Sequence, residues 1–523
     1  MKKIYTLTII LALFVVMSCD KDVQSVQELK TLTPADTDAN AGTWKPVLLT
    51  SNSQIIVPAP IAISSQAYQD DLQKIRDIQG SLTKAQRNAI EYWSAGGILR
   101  WNEILRGLVA KFNLPPAPNN LGAYPAPDAE NPFGDPNFPF ANPPYASRAY
   151  SYITAAQYDA LKAAWYWKYQ HNRQAPYDID PSTIQALVPK STLPSYPSED
   201  AVMSAVSAEV LKLLFPAAVE EITLKAAEQR NAALWSGKAS SNDISAGLTL
   251  GKAVATLFTD RAKTDGMSTA IGTPAQWKLL SENAIARGEI PWVSLETPPR
   301  PPMLPFFGLR SIGAATVGVK TWNVEYGTKI AAERPAEPPK TASSEMADEV
   351  AEVRYYSENV TRERLAIVHK WADGAGTYTP PGHWNEIASH YIEASNFSEV
   401  RAARAFALLN MAVHDAAVGC WETKYYYFNP RPCQMDAKIK TATGVPNFPA
   451  YTSGHSTFSG SAATVLSYLF PADAQYFNEQ ANEASLSRMY GGIHYRSDCQ
   501  MGLDHGKRIA NYTVNFAKAD GSN

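Results

Sequence analysis

Ser398-Glu-Val-Arg-Ala-Ala-Arg-Ala-Phe-Ala-Leu-Leu-Asn-Met-Ala-Val-His-Asp-Ala-Ala-Val-Gly-Cys-Trp421 is rich in Ala, Leu and Met and holds no Pro or Gly before Gly419. These residues favour helix, and the pattern predicts one long helix. At about 100° per residue, Asn410, His414, Ala417, Trp421 and Lys424 fall on one stripe if the helix continues that far. Lys424 would then leave the helix end, and a turn at Asn429-Pro430 would return Arg431 beside it. A second helix is predicted from Ser456 to Phe470, stopped by Pro471. This puts Ser453, Gly454 and His455 at its N-terminus, where free N–H groups and the helix dipole favour an anion. Gly454 permits close approach of the backbone. A final helix is expected from just after Gly491-Gly492 to about Phe516. On it His494 and Asp498 are i and i+4, so the carboxylate can accept from one imidazole nitrogen and leave the other aimed at the anion.

Three short blocks thus gather within about seventy-five residues: Lys424 to Arg431-Pro432, Thr452-Ser453-Gly454-His455, and Ser487-Arg488 followed by His494 and Asp498. Together they bring three cations, two histidines, hydroxyls and a carboxylate. That inventory suits a tetrahedral oxyanion such as phosphate or vanadate. Lys and Arg neutralise it, and Arg can bind two oxygens at once. One histidine can attack or ligate the central atom while the other moves protons. Taken singly, each block has a plain structural reading as a surface turn, an N-cap or an i,i+4 pair. Three such accidents in this order are improbable, and the joint reading is functional.

The blocks resemble the signature of the type 2 phosphatidic acid phosphatase and vanadium haloperoxidase superfamily: K-x6-RP, PSGH, then SR-x5-H-x3-D. Lys424 and Arg431 match the first block, and Ser453, Gly454 and His455 the second. Ser487, Arg488, His494 and Asp498 match the third. Thr452 stands where the family commonly has proline, a change to the turn rather than to the chemistry. Trp421, the run Phe448-Pro-Ala-Tyr451, and Trp371-Ala-Asp-Gly-Ala-Gly-Thr-Tyr-Thr-Pro-Pro-Gly-His-Trp-Asn385 look like the bacterial haloperoxidase branch. The resemblance covers roughly residues 365–510. It implies an all-α fold of two packed helical bundles with long Pro-rich loops and the active site in the C-terminal bundle. It also implies vanadate held by Lys424, Arg431, Ser453, the Gly454 amide, Arg488 and, as ligand to vanadium, His494. His455, His494 and Asp498 are then the catalytic residues, with Trp421 and Phe448 walling the pocket. Hydrogen peroxide, polarised by Lys424, would be attacked by halide to give a hypohalous acid equivalent. The alternative is an acid phosphatase of the same superfamily, with phosphate in the same site. There His494 attacks a phosphomonoester to form a phosphohistidine and His455 protonates the leaving alcohol.

The rest of the chain narrows the choice. Met1-Lys2-Lys3, the apolar run Ile4 to Met17 and Ser18-Cys19 read as a bacterial lipoprotein signal peptide over residues 1–18. Lipidated Cys19 would anchor the protein to a membrane of the cell envelope, facing the periplasm or the cell surface. The apolar run is shorter than the ~20 residues a span needs, and nothing later resembles one. Residues 19–55 read as a polar tether, 56–340 as an N-terminal helical region, and 341–523 as the C-terminal domain. Helical spacing recurs over about 56–110 and 150–265. Leu114–Tyr145 and Thr297–Phe307, dense in Pro and aromatics, read as long loops that could wall the pocket entrance.

Lys+Arg 47 against Asp+Glu 50 leaves no basic field to draw nucleic acid, and 45% hydrophobic residues over 523 allow one large or two medium cores. Cys420, Cys433 and Cys499 fit no zinc spacing and read as structural or unpaired thiols. Two rivals remain. His383, Glu386 and His390 share a helix face and suggest a zinc hydrolase, although their order is not H-E-x-x-H. A lipoprotein that only binds an oxyanion would not require His455 or an oriented His494–Asp498 pair.

Overall fold

The computed structural model describes residues 29–112, 143–296, 299, 301–308, 310–312, 315–325 and 328–522. The expected all-α class holds. Helices dominate the described residues, alongside one short antiparallel hairpin, β1 (Arg310–Ile312) and β2 (Ala315–Val317). The N-terminal set includes α1 (Gly97–Phe112), α2 (Pro143–His171), α3 (Glu199–Leu214) and α4 (Ser241–Lys263). The C-terminal set includes α5 (Thr379–Ala394), α6 (Glu399–Tyr427), α7 (Gly454–Leu469), α8 (Ala474–Tyr490) and α9 (Arg496–Lys518).

The helix read from Ser398 onward is α6, with Ser398 as its N-cap and 29 residues in all. Nearly every residue from Val400 to Tyr425 is buried. A helix buried all round belongs at the centre of a fold, and α6 runs there alongside the equally long α2. One apolar core extends from Ala41 to Ala517 through both helical sets, so the two sets share a single interior. Phe428, at φ 59°, ends α6 in the left-handed region and donates its N–H to the Lys424 carbonyl at 2.8 Å. The chain therefore reverses at Asn429-Pro430, as the spacing predicted.

α7 and α9 meet at unusually short range because glycines face the partner backbone. A methyl group on Gly506 would sit 2.0 Å from the Thr457 carbonyl oxygen, and one on Gly460 would sit 2.3 Å from that of Leu503. This close crossing brings the start of α7 against the start of α9. There the Ser453 N–H donates to the Asp498 carbonyl at 2.9 Å.

Three expectations are corrected. The segment 29–55, read as tether, is packed into the fold. Trp44 is fully buried, and the Val47, Leu48 and Leu49 amides donate to the buried Asp159 carboxylate at 2.7–2.9 Å. Asp38 is gripped by Ser398 and Arg401 at the start of α6. The last helix starts at Arg496, so His494 precedes it. Asp498 stands third in the helix and its carboxylate accepts the Tyr495 N–H, which caps the helix there. Lastly, Pro143, Pro144 and Tyr145 open α2; the remainder of the Leu114–Tyr145 loop lies outside the described residues, apart from its boundary. Also outside them are residues 1–18 and Cys19. Among the described residues no helix is long and apolar enough to cross a membrane.

Candidate active site

The end of α6, the start of α7, the end of α8 and the loop into α9 converge on one buried cluster. Lys424, in the last turn of α6, is fully buried, and its Nζ donates to the Pro449 and Ala450 carbonyls at 2.9 Å each. Arg431 is also fully buried. Its Nε donates to the Phe448 carbonyl at 2.9 Å, and its Nη1 to that of Ile493 at 2.8 Å. Its Nη2 is buried without a partner. Arg488, near the end of α8, donates from Nε to Ser487 Oγ at 2.9 Å and from Nη2 to the Trp371 carbonyl at 2.7 Å. Among the described residues, none of these three cations has a carboxylate within 4.0 Å.

That arrangement is costly for an isolated protein, since each buried ion loses several kcal/mol of hydration. Burial pushes the Lys424 ammonium down to about 7, with Arg431 adding to the effect. It lowers both guanidiniums to about 10. Neutral partners, chiefly carbonyls, hold the cations in place and leave their charge for something else.

Ser453 caps α7, its Oγ accepting the Ser456 N–H at 3.3 Å. The Gly454 and His455 amides that follow are among the first N–H groups of the helix, which have no intrahelical acceptor. A methyl placed on Gly454 would meet Phe458 and Trp421 only at 3.8 and 3.9 Å, ordinary contact. Protein packing therefore does not demand glycine here; the open space in front of its backbone does. Replacing Gly454 with alanine should leave the thermal unfolding temperature nearly unchanged but weaken oxyanion binding by at least about tenfold, measured by calorimetric titration with phosphate. Unchanged affinity would place the anion elsewhere.

His494 Nδ1 lies 2.7 Å from Asp498 Oδ2, and its Nε2 lies 3.0 Å from Arg431 Nη1. The carboxylate accepts from Nδ1–H, so the Nε2 lone pair faces the cations. Burial, then Arg431, Lys424 and Arg488, hold this imidazole well below its usual range, and it is neutral. A neutral, oriented Nε2 is what ligation or attack at an oxyanion's central atom requires. Asp498→Asn should lower turnover by roughly 10–100-fold, the usual effect of an outer hydrogen-bond partner. A loss as deep as that of His494→Ala would give the carboxylate a direct role.

His455 Nε2 is buried without a hydrogen-bond partner, 3.7 Å from Asp373 Oδ2. Burial, Arg488 and His383 keep the ring neutral. Trp421 and Phe448 form the apolar wall, with ring centres 5.1 Å apart, and Lys424 Nζ lies 4.9 Å from the Phe448 ring centre and 5.9 Å from that of Trp421. The Trp421 indole donates to the Met303 carbonyl at 3.1 Å, so Met303 props this wall from behind. Every site residue expected from the three blocks is thus in the cluster.

Residues 403–521 match the sequence model of the PAP2 superfamily. The fold is similar to that of a vanadium haloperoxidase of known structure. The chain resembles the first bacterial vanadium-dependent iodoperoxidase at 20% identity and a TM-score of 0.55, covering 80% of this chain and 95% of that one. A holo-type bacterial vanadium-dependent chloroperoxidase aligns at 13% identity with a TM-score of 0.45, over 73% of this chain and 92% of that one. No curated protein matches the sequence.

The superfamily motifs did not point to Asp373 or His383. Asp373 bonds His383 Nδ1 at 3.1 Å and faces His455. The zinc reading of His383, Glu386 and His390 finds no support. Glu386 is engaged by Arg106 and Tyr378, and among the described residues no three ligating side chains could hold a metal ion. Cys420, Cys433 and Cys499 are free thiols; Cys420 donates to the Thr452 carbonyl behind the site.

The charge balance sets a pH dependence. Lys424 is lowered to about 7 and the Asp498 carboxyl, chiefly by burial, is raised to about 7. Rising pH deprotonates either group, and both changes make the site less positive. Affinity for an anion of fixed charge should therefore fall above about pH 7, by up to about tenfold per pH unit. Titrations from pH 6 to 9 with sulfate, whose charge is constant over this range, check the slope; a flat profile would contradict it.

Proposed function

We propose that this protein oxidises halide with hydrogen peroxide at a vanadate held by Lys424, Arg431, Ser453, the Gly454 amide and Arg488, with His494 as its protein ligand. The supporting observation is three buried cations without carboxylate partners beside an open helix N-terminus and an oriented, neutral His494 Nε2. The unpartnered Arg431 Nη2 and the clear space at Gly454 fit an oxyanion. Vanadate, when bound, supplies the Lewis-acid centre that activates peroxide toward halide.

The chain's own residues do the rest. Arg431 and Arg488 fix the anion's orientation with guanidinium groups already anchored by carbonyls, so little reorganisation accompanies binding. Asp498 keeps the proton on His494 Nδ1. His455 accepts a proton from incoming peroxide and returns one to the departing oxygen. Trp421 and Phe448 exclude water and offer a weakly hydrated halide an apolar surface beside the Lys424 ammonium.

The same cations and His494 would serve phosphomonoester hydrolysis, and the aromatic wall is what favours halide. Vanadate-free protein should hydrolyse p-nitrophenyl phosphate only weakly and gain iodide or bromide oxidation as vanadate is added. If vanadate only inhibits hydrolysis and never switches on halide oxidation, the protein is a phosphatase. For location, we propose that Cys19 carries the lipid anchor; Cys19→Ser should release the protein from membranes, and unchanged association after correct processing would point to another anchor.

A further inference from the structure

The residues behind His455 form a connected assembly that no superfamily block contains. The His383 ring stacks on the Trp371 indole, centres 4.2 Å apart and planes at 20°. Its Nδ1 lies 3.1 and 3.3 Å from the two Asp373 oxygens. Asp373 is nearly buried, and its Oδ2 stands 3.7 Å from the unpartnered His455 Nε2. Its backbone occupies the left-handed region at φ 44°, a conformation that persists where the surroundings enforce it. Trp371 ties the assembly down at both ends, its indole donating to Glu483 at 2.9 Å and its carbonyl accepting from Arg488.

From this geometry we infer that His383 is a positioning residue for proton transfer: it holds Asp373 against His455 and so sets how readily His455 takes and keeps a proton. The groups facing His455 are Arg488, Lys424, His494 and His383, each of which disfavours a positive imidazole, and Asp373, the carboxylate that favours one. Asp373 is the carboxylate nearest His455 Nε2, so moving it away would leave a proton taken up by that nitrogen without its counter-charge. The 3.7 Å gap is a contact that closes when His455 is protonated, since apo-state catalytic hydrogen bonds are commonly long. The inference rests on His455 serving the oxyanion site, in either halide oxidation or phosphomonoester hydrolysis.

The test compares His383→Ala, His383→Asn and Asp373→Asn in full-length protein, following iodide oxidation in the vanadate-loaded form and p-nitrophenyl phosphate hydrolysis without vanadate. Asparagine at 383 can restore a donor to Asp373 but not the ring stack on Trp371. Expected results are a roughly 10–100-fold loss of kcat with little change in KM for His383→Ala, and a displaced acid pH limb. Asp373→Asn should move the limb to lower pH, and His383→Asn should recover most of the rate and the limb position. A pH profile for His383→Ala identical to wild type would overturn the inference. So would a His383→Asn variant as impaired as the alanine form, which would mean that only the ring stack matters. Phosphate titration of each variant separates the readings: retained binding with an unmoved profile rejects the relay alone, whereas wild-type protein that binds no oxyanion removes the site on which it rests.

Discussion

Replacing His494 with alanine reduces turnover to background, a loss on the order of 10³-fold or more. No other side chain places a neutral nitrogen lone pair against the three cations: His455 Nε2 faces Asp373, and the nearest group to His494 Nε2 is Arg431, which only donates. Alanine also strands Asp498, whose carboxylate keeps just the Tyr495 amide. The variant should nevertheless fold, because Arg431 retains its bonds to the Phe448 and Ile493 carbonyls. The check is steady-state assay of iodide oxidation and p-nitrophenyl phosphate hydrolysis alongside thermal unfolding. Near-normal turnover in either assay would remove His494 from the chemistry.

Arg431→Met is expected to weaken oxyanion affinity by about 2–5 kcal/mol, or roughly 30- to 4,000-fold. Of the three site cations, Arg431 has a buried nitrogen without a partner among the described residues, so the anion is the acceptor it lacks. Methionine fills much of the same volume while removing charge and all donors, which leaves the Phe448 and Ile493 carbonyls unsatisfied. Some loss of stability follows from those carbonyls, so affinity is measured well below the unfolding transition. An affinity within about threefold of wild type would show that Arg431 serves only to pin the two loops together.

Much of this site could be read from the chain because its parts are local. Lys424 and Arg431 lie on either side of one turn, Ser453 to His455 sit on one helix start, and His494 and Asp498 are four residues apart. Helix periodicity and capping chemistry act over such spans. Even the error at the last helix was local: the His494–Asp498 bond forms as expected, but Asp498 spends its second interaction capping the helix, which excludes His494 from it.

Long-range pairings were not readable in the same way. Asp38, Trp44 and the amides of Val47 to Leu49 are held by Arg401 and Asp159, more than a hundred residues away. In the sequence that segment is simply polar and without period. His383 was equally misleading, since a histidine near Glu386 and His390 suggests a metal until Trp371 and Asp373 are seen to occupy its face and its nitrogen. The helix that presents it, α5, joins the site from a stretch well upstream of His455, a distance over which neither spacing nor propensity carries information.

The most direct measurement is anomalous diffraction from crystals of the protein soaked in vanadate, read at the vanadium edge. One vanadium per chain is expected, bonded to His494 Nε2 and surrounded by Lys424, Arg431, Arg488, Ser453 and the Gly454 amide. A vanadium bound at any other position, or none at a concentration that saturates halide oxidation, would contradict the assignment of these residues as the oxyanion site.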